Sequence, residues 1–372
     1  MSFTLAIDGR HANAAQRAGI GNYCFEILRA LPPLLGDVRL RVYLDAPPRK
    51  DFPLSSRDAE LTVLPPRRLW TQRALPGALK ADPPDLLFCP SLQAPLRCPC
   101  PVIVTVHDLA FLTFKDEFTW QRRTLARLQA WQAARQAAHL IADSEGTKRD
   151  LERLLRVNPE KITVAYAGAA PQYRSNAFET RAPSPETRPY ILYVGRLQPR
   201  KNIGRLVEAF SQVVERHPEL PHRLLLAGAE GWLFDQIYGA VSHASARDRI
   251  EFLGFVPEDD LPGLMREADV LALVSLWEGF GLPVVEAMAC GTAVLTSNCS
   301  SLPEVAGEAA LLVDPTDTSA IAAGLERLLL DVPFRRALEA AGPAQAARFS
   351  WQATARKILT AAEQVVEQSR RQ

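Results

Sequence analysis

The sequence predicts an α/β protein made of two doubly wound units in tandem, each a parallel sheet covered by helices. Three observations carry that reading. Short apolar runs alternate with longer amphipathic stretches along nearly the whole chain. The alternation breaks once, across 170–189, where Pro171, Pro183, Pro185 and Pro189 stand among polar residues, and then it restarts. The length of 372 residues suits two domains, since one typically takes ~150.

In the first half, 3–7 reads as a buried strand and 22–31 as a helix after a glycine-containing turn. Residues 40–44, 61–64, 86–88 and 102–106 are further strands. A long helix covers 119–138, a short strand 140–142, and Ser144 caps a helix reaching about Leu155. The second half repeats the scheme, with strands at 190–194, 223–227, 250–253, 270–274 and 293–296. Helices are expected at 203–214, 260–266, 282–289, 318–330, 333–341 and 351–368. The first domain is placed at 1–175 and the second at 188–350.

Composition narrows the function. Apolar residues make up 47% and charged residues 23%, which suits a globular core and excludes global disorder. A net charge of +1 argues against a nucleic-acid binder, which should be clearly basic. The total is an average: residues 1–180 carry 24 Lys and Arg against 18 Asp and Glu, and the remainder 19 against 24. No apolar run approaches the ~20 residues of a membrane span, and the first ten residues do not read as a secretory signal. The expectation is a cytoplasmic protein with six reduced cysteines. Cys98-Pro-Cys100 near Cys89 lacks the second pair of a zinc site, so no metal is expected.

Ligands of open α/β sheets bind beyond the carboxyl ends of the strands, so three strand-end segments carry weight. In Gly195-Arg196-Leu197-Gln198-Pro199-Arg200-Lys201-Asn202, Arg196 and Lys201 put two cations in one loop before a helix, which suits a diphosphate. An ordinary solvated loop is the alternative. In EGFGLPVVEAMACG, starting at Glu278, the glycines permit close backbone approach to a ligand. Pro283 fits a first helical turn, and Gly291 a C-terminal cap. Glu278 and Glu286 suit sugar hydroxyls rather than a paired acid and base; for either alone, a structural role competes. Leu253-Gly254-Phe255-Val256-Pro257 is a third strand end, weak by itself.

Together, GRLxxxKN and EGFGLPVVEAMACGTAV, extended by Ser300-Ser301-Leu302-Pro303-Glu304-Val305, resemble the retaining glycosyltransferases of family 4. The resemblance covers nearly the whole chain and is tighter in the second half. It implies the GT-B fold: two Rossmann-like domains facing a deep cleft, a nucleotide sugar on the second, the acceptor mainly on the first. The last helix, 351–372, would return to the first domain. Arg196 and Lys201 would hold the donor diphosphate, Glu286 the ribose and Glu278 the sugar hydroxyls. The backbone of Phe280, Gly281 and Leu282 would meet sugar and phosphate, and that near Val256 the base.

In the first half, Gly19-Ile20-Gly21 matches the family's glycine-rich loop, which approaches the phosphates. His107-Asp108 matches its HD position, where the imidazole would meet a sugar hydroxyl or the developing oxocarbenium. SEGTKRDL from Ser144 matches SxxSxxDL with Thr147 in the second Ser position. The chain carries no Asp-x-Asp, so the diphosphate would be met by fixed charge, without metal or cofactor. The resemblance implies retention by front-face attack. The loop and glycine motifs look most like the mannosyltransferase branch, so GDP-mannose is the first donor. UDP-glucose, UDP-N-acetylglucosamine and dTDP-rhamnose are alternatives. The acceptor would be a glycan or lipid-linked sugar of cell-surface polysaccharide or lipopolysaccharide synthesis. A non-catalytic nucleotide-sugar-binding module and a sugar-nucleotide 2-epimerase are the competing classes.

Peripheral contact with an anionic membrane is a further expectation. Arg67, Arg68, Trp70 and Arg73 read as a basic loop with one interfacial aromatic, and Trp120, Arg123, Arg127, Trp131 and Arg135 share a helix face. A solvated face with the Trp packed inward is the alternative.

Overall fold

A computed structural model describes residues 2–66, 68–115, 118–174, 189–231 and 234–371. The chain folds as two units, Met1–Ala167 with Ser350–Gln372, and Gly168–Phe349. Much of the linker expected at 170–189 falls on 175–188, outside the described residues.

The first unit holds β1 (Thr4–Asp8), β2 (Arg39–Leu44), β3 (Glu60–Val63), β4 (Leu86–Cys89), β5 (Val102–Val106), β6 (His139–Ala142) and β7 (Ile162–Val164). They form one sheet, ordered β3-β2-β1-β4-β5-β6-β7, with every pairing parallel. The central strands β1, β4 and β5 are buried along their whole length, as expected of a sheet covered on both faces. Its helices are α1 (Ile20–Ala30), α2 (Trp70–Ala81), α3 (Ala110–Thr113), α4 (Trp120–Gln136) and α5 (Glu145–Leu155).

The second unit begins with α6 (Pro171–Arg174) and holds β8 (Tyr190–Val194), β9 (Arg223–Ala227), β10 (Ile250–Gly254), β11 (Val270–Leu273), β12 (Ala293–Ser297) and β13 (Leu311–Val313). These form a parallel sheet ordered β10-β9-β8-β11-β12-β13. Its other helices are α7 (Ile203–Arg216), α8 (Phe234–Ser242), α9 (Leu261–Arg266), α10 (Leu282–Ala289), α11 (Leu302–Ala306), α12 (Thr318–Leu330) and α13 (Val332–Ala346). On α7, Ile203, Leu206, Val207, Phe210 and Val213 recur at helical spacing and are buried. In each sheet the strand order reverses once, between β1 and β4 and between β8 and β11. Those reversals are topological switch points, where strand-end loops diverge and leave room for a ligand.

The closing helix α14 (Trp351–Arg371) packs on α1, β4, β6 and β7 of the first unit. Lys357 Nζ donates to the Val164 carbonyl at 2.7 Å, and the Trp351 ring meets Tyr23 edge-on. The expected strands and helices are present within a few residues of their ends. The elements the periodicity missed are short or punctuated, namely β7, β13, α2, α3, α6, α8 and α11.

Helix α2 corrects one expectation. The segment read as a basic loop from Arg67 to Arg73 turns helical at Trp70. Trp70 is 5% exposed and lies beneath the Arg10 guanidinium, 4.1 Å from the ring centroid. Trp70, Leu75 and Leu79 bury one face, and their packing outweighs the unfavourable Pro76 inside the helix. Trp70 therefore does not serve as an interfacial anchor. Arg68 and Arg73 are exposed, while Arg67 lies outside the described residues.

Candidate functional site

The second unit gathers its expected donor residues around the β8/β11 switch point. After β8, Gly195 adopts φ +150 and its amide donates to the Ala227 carbonyl at 2.9 Å. The loop then makes one tight turn, Pro199–Lys201, and stops at Asn202 with φ +60. The Asn202 side-chain Nδ2 donates to the carbonyls of Val274 and Pro315, at 2.9 and 2.6 Å. The Leu276 amide donates to the Arg200 carbonyl at 2.9 Å. The cation loop is thus tied to the segment that follows β11.

That segment carries Glu278, which is 8% exposed. Lys201 Nζ reaches both of its oxygens, at 2.5 and 2.6 Å. Ser275 Oγ donates to Oε1 at 2.7 Å, and Arg200 stands 3.9 Å away. Burial disfavours the carboxylate, but Lys201 and Arg200 overrule it and hold the Glu278 pKa below the ordinary carboxylate range. Arg196 in the same loop is exposed, and its guanidinium has no ion pair among the described residues.

The backbone of the Glu278 loop is clasped by two hydroxyls. Ser300 Oγ donates to the Glu278 carbonyl at 2.5 Å and accepts from the Glu278 amide at 3.2 Å. Ser301 Oγ lies 3.0 Å from the carbonyls of both Glu278 and Phe280. Gly281 then takes φ +101, a conformation that calls for glycine, and a Cβ there would also press on the Leu302 side chain, 2.7 Å from Cδ2. Helix α10 follows, with Leu282 first and Pro283 in its opening turn. Phe280 packs edge-on against Phe349. Glu286 is 8% exposed on α10, and its carboxylate opposes ionisation of the nearby Tyr173. Val256 is half-buried just past β10.

The first unit presents a different arrangement. His107 follows β5 and Asp143 follows β6, and the register Val106↔Ala142 sets them side by side. His107 Nδ1 lies 2.5 Å from Asp143 Oδ2, and Nε2 lies 2.8 Å from the Pro90 carbonyl. With Asp143 ionised, both partners only accept, so both ring N–H groups donate and the ring is an imidazolium. Burial opposes that charge, but Asp143 outweighs it and raises the His107 pKa. The ring nitrogens expected to meet a sugar hydroxyl are therefore engaged within the unit. Thr147 Oγ1 donates to the His107 carbonyl at 3.1 Å while its amide caps onto Ser144 Oγ at 2.9 Å. The hydroxyl also accepts from Ser144 Oγ at 3.1 Å, and both of its contacts need only a hydroxyl, so Thr in the motif's second Ser position is accommodated.

Gly19 opens α1 with φ +48, in open space, so its conformation rather than crowding calls for glycine. Gly21 is buried, and a Cβ there would meet the His11 carbonyl at 3.2 Å.

Asp143 and Ser275 are structural partners outside the motifs, and Asn202, which closes GRLxxxKN, proves to be a clamp rather than a ligand contact. Asp143 was within reach of the sequence, because parallel pairing of the 102–106 and 140–142 runs sets it beside His107. Among the described residues no group of three His, Cys, Asp or Glu side chains is arranged to hold a metal. Cys98 and Cys100 are free thiols with sulfurs 3.4 Å apart.

Comparison with known proteins follows the same division. Residues 17–173 match the family described as Glycosyltransferase Family 4, and residues 176–345 match Glycosyl transferases group 1. The chain is 32% identical over 255 residues to O-antigen chain mannosyltransferase B of Escherichia coli, covering 67% of each chain. It is 39% identical over 167 residues to the serotype-specific mannosyltransferase WbdA of Escherichia coli, covering 45% of this chain and 20% of that one. In structure it is similar to sucrose-phosphate synthase of Thermosynechococcus elongatus, with a TM-score of 0.80 and 22% identity, covering 98% of this chain and 99% of that one. That likeness, together with the two parallel sheets, identifies the fold as GT-B.

Proposed function

This chain belongs to glycosyltransferase family 4, and from that premise we propose that it moves mannose from GDP-mannose to a glycan or lipid-linked acceptor of a bacterial cell-surface polysaccharide. The observation that carries the reading is the Lys201–Glu278 pair across the β8/β11 switch point, with Arg196 exposed in the same loop. Two cations and a buried carboxylate within one strand-end constellation suit a ligand that joins a diphosphate to a polyol. The relative named for O-antigen mannosyl transfer supports the sugar. UDP-glucose, UDP-N-acetylglucosamine and dTDP-rhamnose are the competing donors.

In this reading Arg196 and Lys201 take the diphosphate, Glu278 the sugar hydroxyls and Glu286 the ribose. The backbone at Phe280, Gly281 and Leu282 lines the sugar and phosphate, and Val256 the base. The bond from the anomeric carbon to the phosphate oxygen breaks as the acceptor oxygen attacks the same face. The acceptor proton passes to the leaving phosphate, and configuration is retained. Charge on the departing nucleoside diphosphate is met by Arg196, Lys201 and the α10 N-terminus, without metal. Gly19 and Gly21 shape the loop that opens α1, and the His107 imidazolium supplies fixed positive charge in the first unit.

We extend the reading to a lipid surface through α4 rather than the Trp70 segment. Trp120 is 74% exposed and Trp131 51%, and Leu125 and Leu128 are exposed beside Arg122, Arg127 and Arg135. The helix carries no acidic residue. Aromatics among unopposed arginines suit an anionic headgroup layer. No helix among the described residues is long and apolar enough to cross a membrane.

The test is a transfer assay with labelled GDP-mannose, UDP-glucose, UDP-N-acetylglucosamine and dTDP-rhamnose, run with and without EDTA and beside melts with GDP, UDP and dTDP. Turnover of one donor, unaffected by EDTA, is expected. Absence of hydrolysis and transfer with every donor refutes the enzyme reading. Co-sedimentation with anionic vesicles tests α4, and unchanged binding after Arg122, Arg127 and Arg135 are neutralised removes that surface.

A further inference from the structure

We propose that Glu278 makes the donor site selective for an intact nucleotide sugar over the bare nucleoside diphosphate, by holding Lys201 until a sugar replaces it. The inference rests on the donor reading above. Lys201 and Glu278 side chains are 13% and 9% exposed, so both charges are largely out of water, and the ammonium is spent on both carboxylate oxygens. A diphosphate that recruits Lys201 must draw it off Glu278. The carboxylate would then keep the Ser275 hydroxyl at 2.7 Å and Arg200 at 3.9 Å, a weak substitute for a two-point contact. A buried carboxylate deprived of its counter-ion is costly.

Sugar hydroxyls are hydrogen-bond donors and can take the places that the ammonium leaves. A bare nucleoside diphosphate brings no such donor to that carboxylate. The intact donor therefore meets both halves of the exchange, whereas the spent nucleotide meets one. After transfer the sugar departs, Glu278 recaptures Lys201, and the diphosphate loses a cation at the moment it must leave. The motion is confined to a side chain. Asn202, clamped to Val274 and Pro315, fixes the backbone next to Lys201, and the four-carbon lysine stem supplies the freedom.

Titration calorimetry of wild type and Glu278→Gln tests this, using whichever of GDP, UDP and dTDP raises the wild-type melting temperature most, together with its nucleotide sugar. Glu278→Gln is expected to bind the bare diphosphate about ten-fold tighter than wild type, the scale of one contact to a charged group, and to lose the preference for the sugar form. Unchanged or weaker diphosphate binding by folded Glu278→Gln overturns the proposal while leaving the donor reading intact. If none of the three nucleotides binds wild type, the donor reading fails and the proposal with it. Glu278→Asp, one methylene shorter, carries the same test with a smaller expected gain if the amide variant does not fold. Failure of both variants to fold makes Glu278 a structural counter-ion and also overturns the proposal.

Discussion

Each unit places a half-buried cation beside a buried carboxylate at the ends of neighbouring strands, yet the two pairs are built to opposite ends. His107 has its ring pinned at both nitrogens, one to Asp143 and one to the Pro90 carbonyl, and has no second position to move to. Lys201 is tethered to the backbone at one end only, and its ammonium meets the Glu278 carboxylate at the end of a flexible stem. The first pair stands between β5 and β6, away from its sheet's switch point, and the second spans the switch point at β8 and β11. A rigid ion pair sets a fixed field, whereas a flexible one over a diverging pair of loops can be exchanged for a ligand.

The largest effect that sharpens this comparison is expected at the exchangeable pair. Lys201→Ala should lower transfer at least ~100-fold, as loss of a charge-stabilising group does. It should also destabilise the fold by ~3 kcal/mol, because Glu278 stays buried without its main counter-ion. Arg196→Ala should lose a similar factor in rate with an unchanged melting temperature, since that side chain is exposed. Steady-state kinetics beside thermal melts separates the two, and equal melting temperatures would break the distinction.

Next is the fixed pair. Asp143→Asn should cost ~2 kcal/mol by leaving the half-buried His107 ring without its charged partner. Folding raises the His107 pKa above 6.5, so the pair's contribution is complete below pH 6.5 and fades as pH climbs through the raised value. Wild-type stability should therefore decline across that window more than that of Asp143→Asn, as read by melts at stepped pH. Ring 15N shifts should report both nitrogens protonated in wild type at pH 6.5; a neutral ring would refute the fixed-charge assignment.

Smaller again is the clasp. Ser300→Ala should cost ~1 kcal/mol and raise the donor KM several-fold, by loosening the loop that aims Glu278. Least of all is Thr147→Ser, within ~0.5 kcal/mol of wild type because the hydroxyl persists; Thr147→Ala should cost ~1 kcal/mol.

Periodicity made most of the framework legible, because fully buried parallel strands read as bare apolar runs such as 190–194 and 270–274. It failed at α2, where Pro76 and the basic start at Arg67 argue against a helix and only the tertiary burial of Trp70, Leu75 and Leu79 decides the matter. The motifs pointed to Lys201 and Glu278, but their mutual contact follows from the adjacency of β8 and β11, strands far apart in sequence. The same holds for Asp143 and for the clamping task of Asn202, the last residue of GRLxxxKN. Each acts on a backbone or ring brought to it by strand order, which residue spacing does not encode.

Helix α14 has a consequence for biosynthesis. It packs on α1, β4, β6 and β7 of the first unit, yet the ribosome makes it after every residue of the second. The second unit is one continuous stretch and has all its elements in hand while the first still lacks its closing helix. The usual amino-terminal-first order of domain maturation is thereby inverted. A nascent chain stalled before Trp351 would leave the α1 surface uncovered, open to chaperones or to a neighbouring chain.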